Sequence, residues 1–350
     1  MGRSSIFSLE QIYRKQVVGT WSKIPEVFRY VKKVVNTLNP YGYARNGSNS
    51  GIDRIDFNND TAAISPQYTT TGTSNKFESN FGNLDYGYIT GGQGSNPAQP
   101  SNWATTSISR IDYSNDATTA SPKGPLAIPK YNHAGVGNMD YGYSIAGRDF
   151  GYPGPNLYYS DISRKGYSND TVAPPVKSNY PFEGSPDFGL SGTGNMEYGW
   201  IGGGSPNTTV CRIDYSNDTV SPPLRTYLST SGYNGRKCTG NSSFGYWQPN
   251  VTTRFTRIDY SNDTATSVDK STSTTTAYDN GSVTSKDYAY VYGRFWPYSS
   301  SVERLDYAND DIATTPKGPL SVTNGGGKHT AGVSAQQFGL PTFPVPATVT

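Results

Sequence analysis

Few residues in this chain are equipped for chemistry. His133 and His329 are its only histidines, and Cys211 and Cys238 its only cysteines. A zinc site needs several nitrogen or sulfur ligands at short spacing. The two histidines instead occupy related segments far apart in the sequence, where each reads as a strand residue satisfied by its neighbours. Two cysteines make no disulfide framework, and both read as buried free thiols. The remaining candidates are oxygen donors. "DYSND" offers Asp112, Asn115 and Asp116, but its spacing lacks the glycine turn and alternation of a calcium loop. Asn59, Asn169, Asn217 and Asn262 each begin Asn-Asp-Thr, formally a glycosylation sequon. No apolar leader opens the chain, so these asparagines read as turn residues. The sequence predicts no catalytic residue, no cofactor and no metal.

The acidic stretch recurs, and that changes its meaning. "RIDYSNDT" from Arg212 has counterparts at Arg54 (RIDFNNDT), Arg110 (RIDYSNDA), Arg164 (RKGYSNDT), Arg257 (RIDYSNDT) and Arg304 (RLDYANDD), 45 to 56 residues apart. A second signature, aromatic-Gly-aromatic followed by small residues, precedes each copy. It reads YGYARNG at Tyr41, YGYITGG at Tyr86, YGYSIAG at Tyr141, YGWIGGG at Tyr198 and FGYWQ at Phe244, with a worn YAYVYG at Tyr288. KGPL at Lys123 and Lys317, PPV at Pro174 and PPL at Pro222 follow four of the copies, and small-residue stretches such as HAGVGN at His133 close the unit.

Such a unit encodes about four short strands. In RIDY, Ile213 and Tyr215 fall on one face and Arg212 and Asp214 on the other, the period of two that a strand imposes. Ser-Asn-Asp tolerates a tight turn, and Thr is expected to resume the next strand. One four-stranded unit cannot bury its own faces, so units must stack. The size and strand count match a β-propeller blade. The first unit lacks its small-residue strand, and KHTAGV, Lys328 to Val333, supplies it from the other end of the chain. The prediction is an all-β, six-bladed propeller over residues 41–339, closed by strands from both termini. Phe338-Gly339-Leu340 offers a further aromatic-Gly element, but six blades are preferred over seven.

Composition agrees. Apolar residues make up 33% and mean hydropathy is −0.63. No apolar run reaches the roughly 18 residues of a membrane helix. The first 40 residues hold seven Lys/Arg against two Glu, and the rest hold 22 against 25 acids. A basic arm thus precedes a slightly acidic body, which disfavours nucleic-acid binding. In the arm, Leu9, Ile12, Tyr13 and Val17 share one helical face, Trp21 follows, and Val27, Phe28 and Val31 share a second. Residues 1–40 are therefore expected to form a short α-helical arm, and three readings stay open for it. It packs on the ring, docks its apolar faces on another protein, or lies on a membrane surface. Docking is favoured, without membrane insertion. Residues 340–350, with three prolines, read as an extended tail.

The order HAGVGNMDYGYSIAG…ISRKGYSNDT resembles the kelch repeat, although the late tryptophan of that repeat is missing. The compound pattern YGYxxGG…RIDYSNDT…KGPL is similar to the kelch-like proteins of marine bacteriophages, especially those infecting cyanobacteria, over most of residues 41–339. The resemblance implies a virion structural protein, located in the virion, with residues 1–40 docking on other virion proteins. Neither a sialidase box nor the His/Tyr/Cys set of a kelch-type copper oxidase is present. Most of the 28 tyrosines recur at fixed repeat positions and read as packing residues. Aromatics outside the repeat are the better contact candidates: Trp103, Tyr152, Tyr158, Phe295 and Trp296. Loops that carry them on a rigid scaffold suit recognition of a host glycan or receptor.

Overall fold

A computed structural model describes residues 39–340, except 46–50, 61–64, 70–76, 96–101, 117–118, 150–155, 182–188, 205–207, 230–236, 249–251, 275–280, 295–298 and 321–330. The expected arm, its residues Leu9 to Val31, and the tail from residue 341 lie outside the described residues.

The chain forms six four-stranded antiparallel sheets, the blades of a six-bladed β-propeller. Counting strands a to d outwards, blade 3 is Ala134–Gly137, Tyr141–Asp149, Leu157–Gly166 and Val176–Asn179. Blade 2 has Ser79–Gly82, Tyr86–Thr90, Ile108–Asp112 and Ser121–Pro122. Blades 4 and 5 begin at Leu190–Gly194 and Lys237–Gly240, and blade 6 at Gly281–Thr284. The six a strands pack against one another in a closed cycle around the axis.

Blade 1 closes the ring as the sequence predicts. Its strands b, c and d are Tyr41–Arg45, Gly51–Asp56 and Ser65–Thr69, while strand a is Gly332–Ser334 from the far end of the chain. Val333 pairs with Tyr43 in that sheet, which removes the open inner edge of the blade.

Glycine in the aromatic-Gly-aromatic strand is required by blade-to-blade distance. A Cβ on Gly142 would lie 2.1 Å from the Phe81 ring of blade 2, and one on Gly87 would lie 2.4 Å from Val333 of blade 1. Thr does not resume a strand after Ser-Asn-Asp. Thr171 and Thr219 remain in the turn, and strand d begins only at Val176 and Leu224, after the prolines. The carbonyls of Pro175 and Pro223 accept from the N–H groups of Arg164 and Arg212.

Strand direction gives the ring two unlike faces. Three-residue a–b turns and the repeated c–d turns share one, the turn face. The b–c connections, which range from 295–298 to 91–107, and the d–a connections share the other, the loop face. The chain enters the ring at Asn39 on the turn face, where Asn39 Nδ2 donates to the Tyr113 carbonyl at 2.9 Å. After the closing strand it crosses the axis on that same face. Gln337–Gly339 forms a short 3-10 turn against the a strands of blades 4 and 5, and Asn80 Nδ2 donates to Gln337 Oε1 at 3.4 Å. Phe338-Gly339-Leu340 is therefore a plug under the central channel and starts no seventh blade.

Candidate functional site

The repeated charged residues hold the ring together. Each RIDY arginine reaches the Asp of the Ser-Asn-Asp turn in the next blade. Arg54–Asp116, Arg110–Asp170, Arg164–Asp218, Arg212–Asp263 and Arg257–Asp310 meet at 2.5 to 2.9 Å. Arg304 and Asp60 complete the circle across the closure. The first aromatic of each aromatic-Gly-aromatic strand lies under the guanidinium of its own blade, with centroid distances of 4.1 to 4.4 Å. The second stacks on the aromatic that ends RIDY in the next blade, as Tyr143 does on Tyr215 at 5.2 Å and Trp200 on Tyr260 at 3.8 Å. In five blades it also donates to the bridging carboxylate, as with Tyr88 to Asp170 at 3.0 Å and Tyr143 to Asp218 at 3.1 Å. Burial, and then the adjacent carboxylate, raises the Tyr88 and Tyr143 hydroxyls well above the ordinary phenol range. They stay protonated and remain donors.

Asp112, Asp214 and Asp259 turn inward on their own chain, each accepting from the N–H two residues on at 2.9 Å. The aspartates of the repeat are thus committed to ring closure and turns. Among the described residues, no three His, Cys, Asp or Glu gather to hold a metal ion.

Charged residues that do not repeat have a different distribution. Some gather at the loop-face end of the central channel and in the neighbouring wall of blades 2 and 3, and others lie on blades 5 and 6, such as Arg254, Asp269 and Glu303. Glu78 precedes strand a of blade 2, His133 precedes strand a of blade 3, and Lys237 opens strand a of blade 5. All three line a cavity of about 60 Å³, closed below by Gln337 and Phe338. Arg45 Nε donates to Glu78 at 3.1 Å, with the arginine side chain fully buried. Lys130, also fully buried, meets Asp161 at 2.6 Å. Burial raises the Glu78 carboxyl against the opposing pull of Arg45 and Lys237. Burial, then Lys130 and Lys237, holds the His133 imidazole well below its usual value, so the ring is neutral. The backbone beside these groups is strained: Phe77 and Asn132, each adjacent to a mouth residue, have φ of 60° and 56°. Left-handed non-glycine residues of this kind cluster where structure serves a site.

His133 is satisfied on one side only. Its Nε2 lies 3.0 Å from Thr90 Oγ1, which also lies 3.3 Å from the Ser79 carbonyl oxygen. Nδ1 is buried and has no hydrogen-bond partner among the described residues.

The sequence-selected aromatics divide. Trp103 lies in Asn102–Ala104, which pairs with Gln93–Ser95 as an extra hairpin in the long b–c connection of blade 2. That hairpin is pinned to blade 3, where Ala104 N–H donates to Asp149 Oδ1 at 3.0 Å. Tyr158 pairs with Arg148 on the extended b–c hairpin of blade 3 and is exposed. The two expected contact loops thus stand side by side on the loop face. Tyr152, Phe295, Trp296 and His329 lie outside the described residues. Cys211 and Cys238 are free thiols, and burial pushes the Cys238 thiol up to about 12.

Sequence reasoning missed Glu78, Lys237 and the Lys130–Asp161 pair. The available signal was asymmetry at one of these positions: Lys237 stands where other copies carry Ser79, Ala134, Ser191 and Gly281. Among the described residues no helix is long and apolar enough to cross a membrane. The fold and site define a six-bladed β-propeller whose architecture suits an interaction or binding module. No protein-family model and no curated protein matches the chain.

Proposed function

We propose that this chain is a non-enzymatic particle-surface protein, a virion structural component of kelch-like type. Its residues 1–40 dock on other virion proteins, and its ring displays the loop face outward. The observation that carries this reading is polarity of the ring. The chain enters at Asn39 on the turn face and its last described residue, Leu340, lies there too. The irregular loops leave the opposite side, where a partner meets a rigid platform. The repeated motif, with its resemblance to phage proteins, supports a virion setting, and commitment of the repeated carboxylates to the ring supports a non-catalytic role.

Co-sedimentation of the full chain and of a 41–350 truncation with particles lacking the protein tests the reading. Binding of the full chain alone supports the arm as anchor. Equal binding of both makes the ring itself the contact and overturns the proposal. A second reading, a receptor-binding module for a host glycan or protein, draws on the paired loop-face hairpins that carry Trp103 and Tyr158.

A further inference from the structure

We infer that Lys130 and Asp161 are a cross-linking pair: the Lys130 amine condenses with the Asp161 carboxyl to an isopeptide bond. The bond ties the connection between blades 2 and 3 to strand c of blade 3. It is independent of the particle-surface reading.

The pair stands apart from the repeat. Asp161 lies three residues before Arg164, where the other copies carry Gly51, Ser107, Thr209, Arg254 and Ser301. Backbone bonds hold both partners in place. Lys130 N–H donates to the Thr105 carbonyl at 3.2 Å, and the Lys130 carbonyl accepts from Gly92 at 3.0 Å. Asp161 sits in a paired strand opposite Asn179. Nζ lies 2.6 Å from Oδ2, with both side chains buried. An oxygen so close brings its Cγ near the roughly 3–3.5 Å from which reacting atoms bond.

The surroundings favour the neutral pair. An ammonium has three donors, but among the described residues Lys130 Nζ makes a single hydrogen bond, to Asp161. Buried Lys165 differs, since its Nζ donates to the carbonyls of Gly124 and Val172. On the carboxyl, Oδ1 is buried without a partner. Two charges taken out of water with so few partners are unfavourable. Burial accordingly holds the Lys130 ammonium below its ordinary value, against the opposing pull of Asp161. Transfer of one proton from Nζ to Oδ2 gives an amine and a carboxylic acid, and the amine lone pair adds to Cγ. Ser163 Oγ donates to Oδ2 at 2.7 Å and assists its departure. The Cγ–Oδ2 bond breaks, Oδ2 leaves as water with a second proton from Nζ, and Oδ1 remains as the amide oxygen. The step needs no oxidant and no further reactant, and it replaces two buried charges with a neutral amide.

The test is the mass of the full chain, purified folded and then denatured. Cooperative urea unfolding of the same preparation shows that the ring had formed. The isopeptide removes one water, so the mass is expected about 18 Da below that of the sequence. A tryptic digest is expected to yield a branched peptide joining residues 124–148 to 149–164, uncleaved at Lys130. Lys130→Met and Asp161→Ala should each restore the full mass for their sequence and abolish the branched peptide. Where a variant does not fold, the wild-type branched peptide decides by itself. Full sequence mass in the folded wild-type chain, or a deficit that persists in either variant, overturns the inference.

Discussion

Loss of one inter-blade carboxylate should cost far more than loss of an exposed one. Asp218 illustrates the reasoning. Its side chain is 6% exposed and accepts from Arg164 at 2.9 Å and from Tyr143 at 3.1 Å. In Asp218→Ala the fully buried Tyr143 hydroxyl loses its acceptor and cannot reach water, at about 1–3 kcal/mol. Arg164 keeps 26% of its side chain exposed and rehydrates, so its share is discounted to about 1 kcal/mol or less. The expected total is about 3 kcal/mol, or a Tm about 6 °C lower for a ring of this size. Asp218→Asn retains a carbonyl oxygen for Tyr143 and should lose about half as much. Asp311, 75% exposed and paired with Lys270, is the control, and Asp311→Ala should change stability by less than about 0.5 kcal/mol. Urea unfolding of the three variants decides the matter. Equal midpoints for Asp218→Ala and Asp311→Ala would refute the assignment of the repeat to ring closure.

Other expectations follow from the same geometry. Gly142→Ala drives a methyl into the Phe81 ring at 2.1 Å and should cost about 1–3 kcal/mol by equilibrium unfolding; a neutral effect would mean the blades separate readily. Removal of residues 331–350 takes away strand a of blade 1 and the plug, so the truncated chain should self-associate through the opened edge in sedimentation velocity, whereas a monomer of unchanged midpoint would contradict the closure. Glu303 is pushed up by burial, but donors from Ser273, Thr274 and Thr314 outweigh this and hold its carboxyl below the ordinary range. Its stabilisation is therefore fully present above the unfolded pKa of about 4.3 and is lost as pH falls through the lower folded value. Glu303→Gln should flatten the acid limb of the stability profile, and parallel profiles would show that Glu303 is not linked to folding. Native Cys211 and Cys238 should resist a thiol reagent at pH 8 and react once urea unfolds the ring, since one is buried and the other has its thiol pushed up to about 12.

Much of this ring is written locally. The spacing of aromatic-Gly-aromatic and RIDY fixes blade count, because both are strands whose faces must alternate. The small-residue segment around Gly332 is legible as a missing inner strand because the first unit begins without one. Periodicity cannot say that Arg54 meets Asp116 and not Asp60 of its own copy, since both repeat with the same period. The choice depends on how closely blades stack, and it becomes visible only when Arg304 reaches back to Asp60. The plug at Phe338 was likewise illegible, because aromatic-Gly there serves a 3-10 turn with Phe338 at φ 56° and no strand. The mouth escaped notice for a third reason. Glu78, His133 and Lys237 lie on three different blades, and only ring closure brings them to one cavity.

The display reading makes a direct statement about orientation, which one labelling measurement addresses. Tyr158→Cys on the loop face and Asn217→Cys on the turn face each place an exposed thiol on an otherwise unreactive ring. The assembled particle would be treated with a bulky maleimide and compared with free protein. Tyr158→Cys should label as fast on the particle as in solution, while Asn217→Cys becomes protected. Protection of Tyr158→Cys with free labelling of Asn217→Cys would contradict the outward loop face.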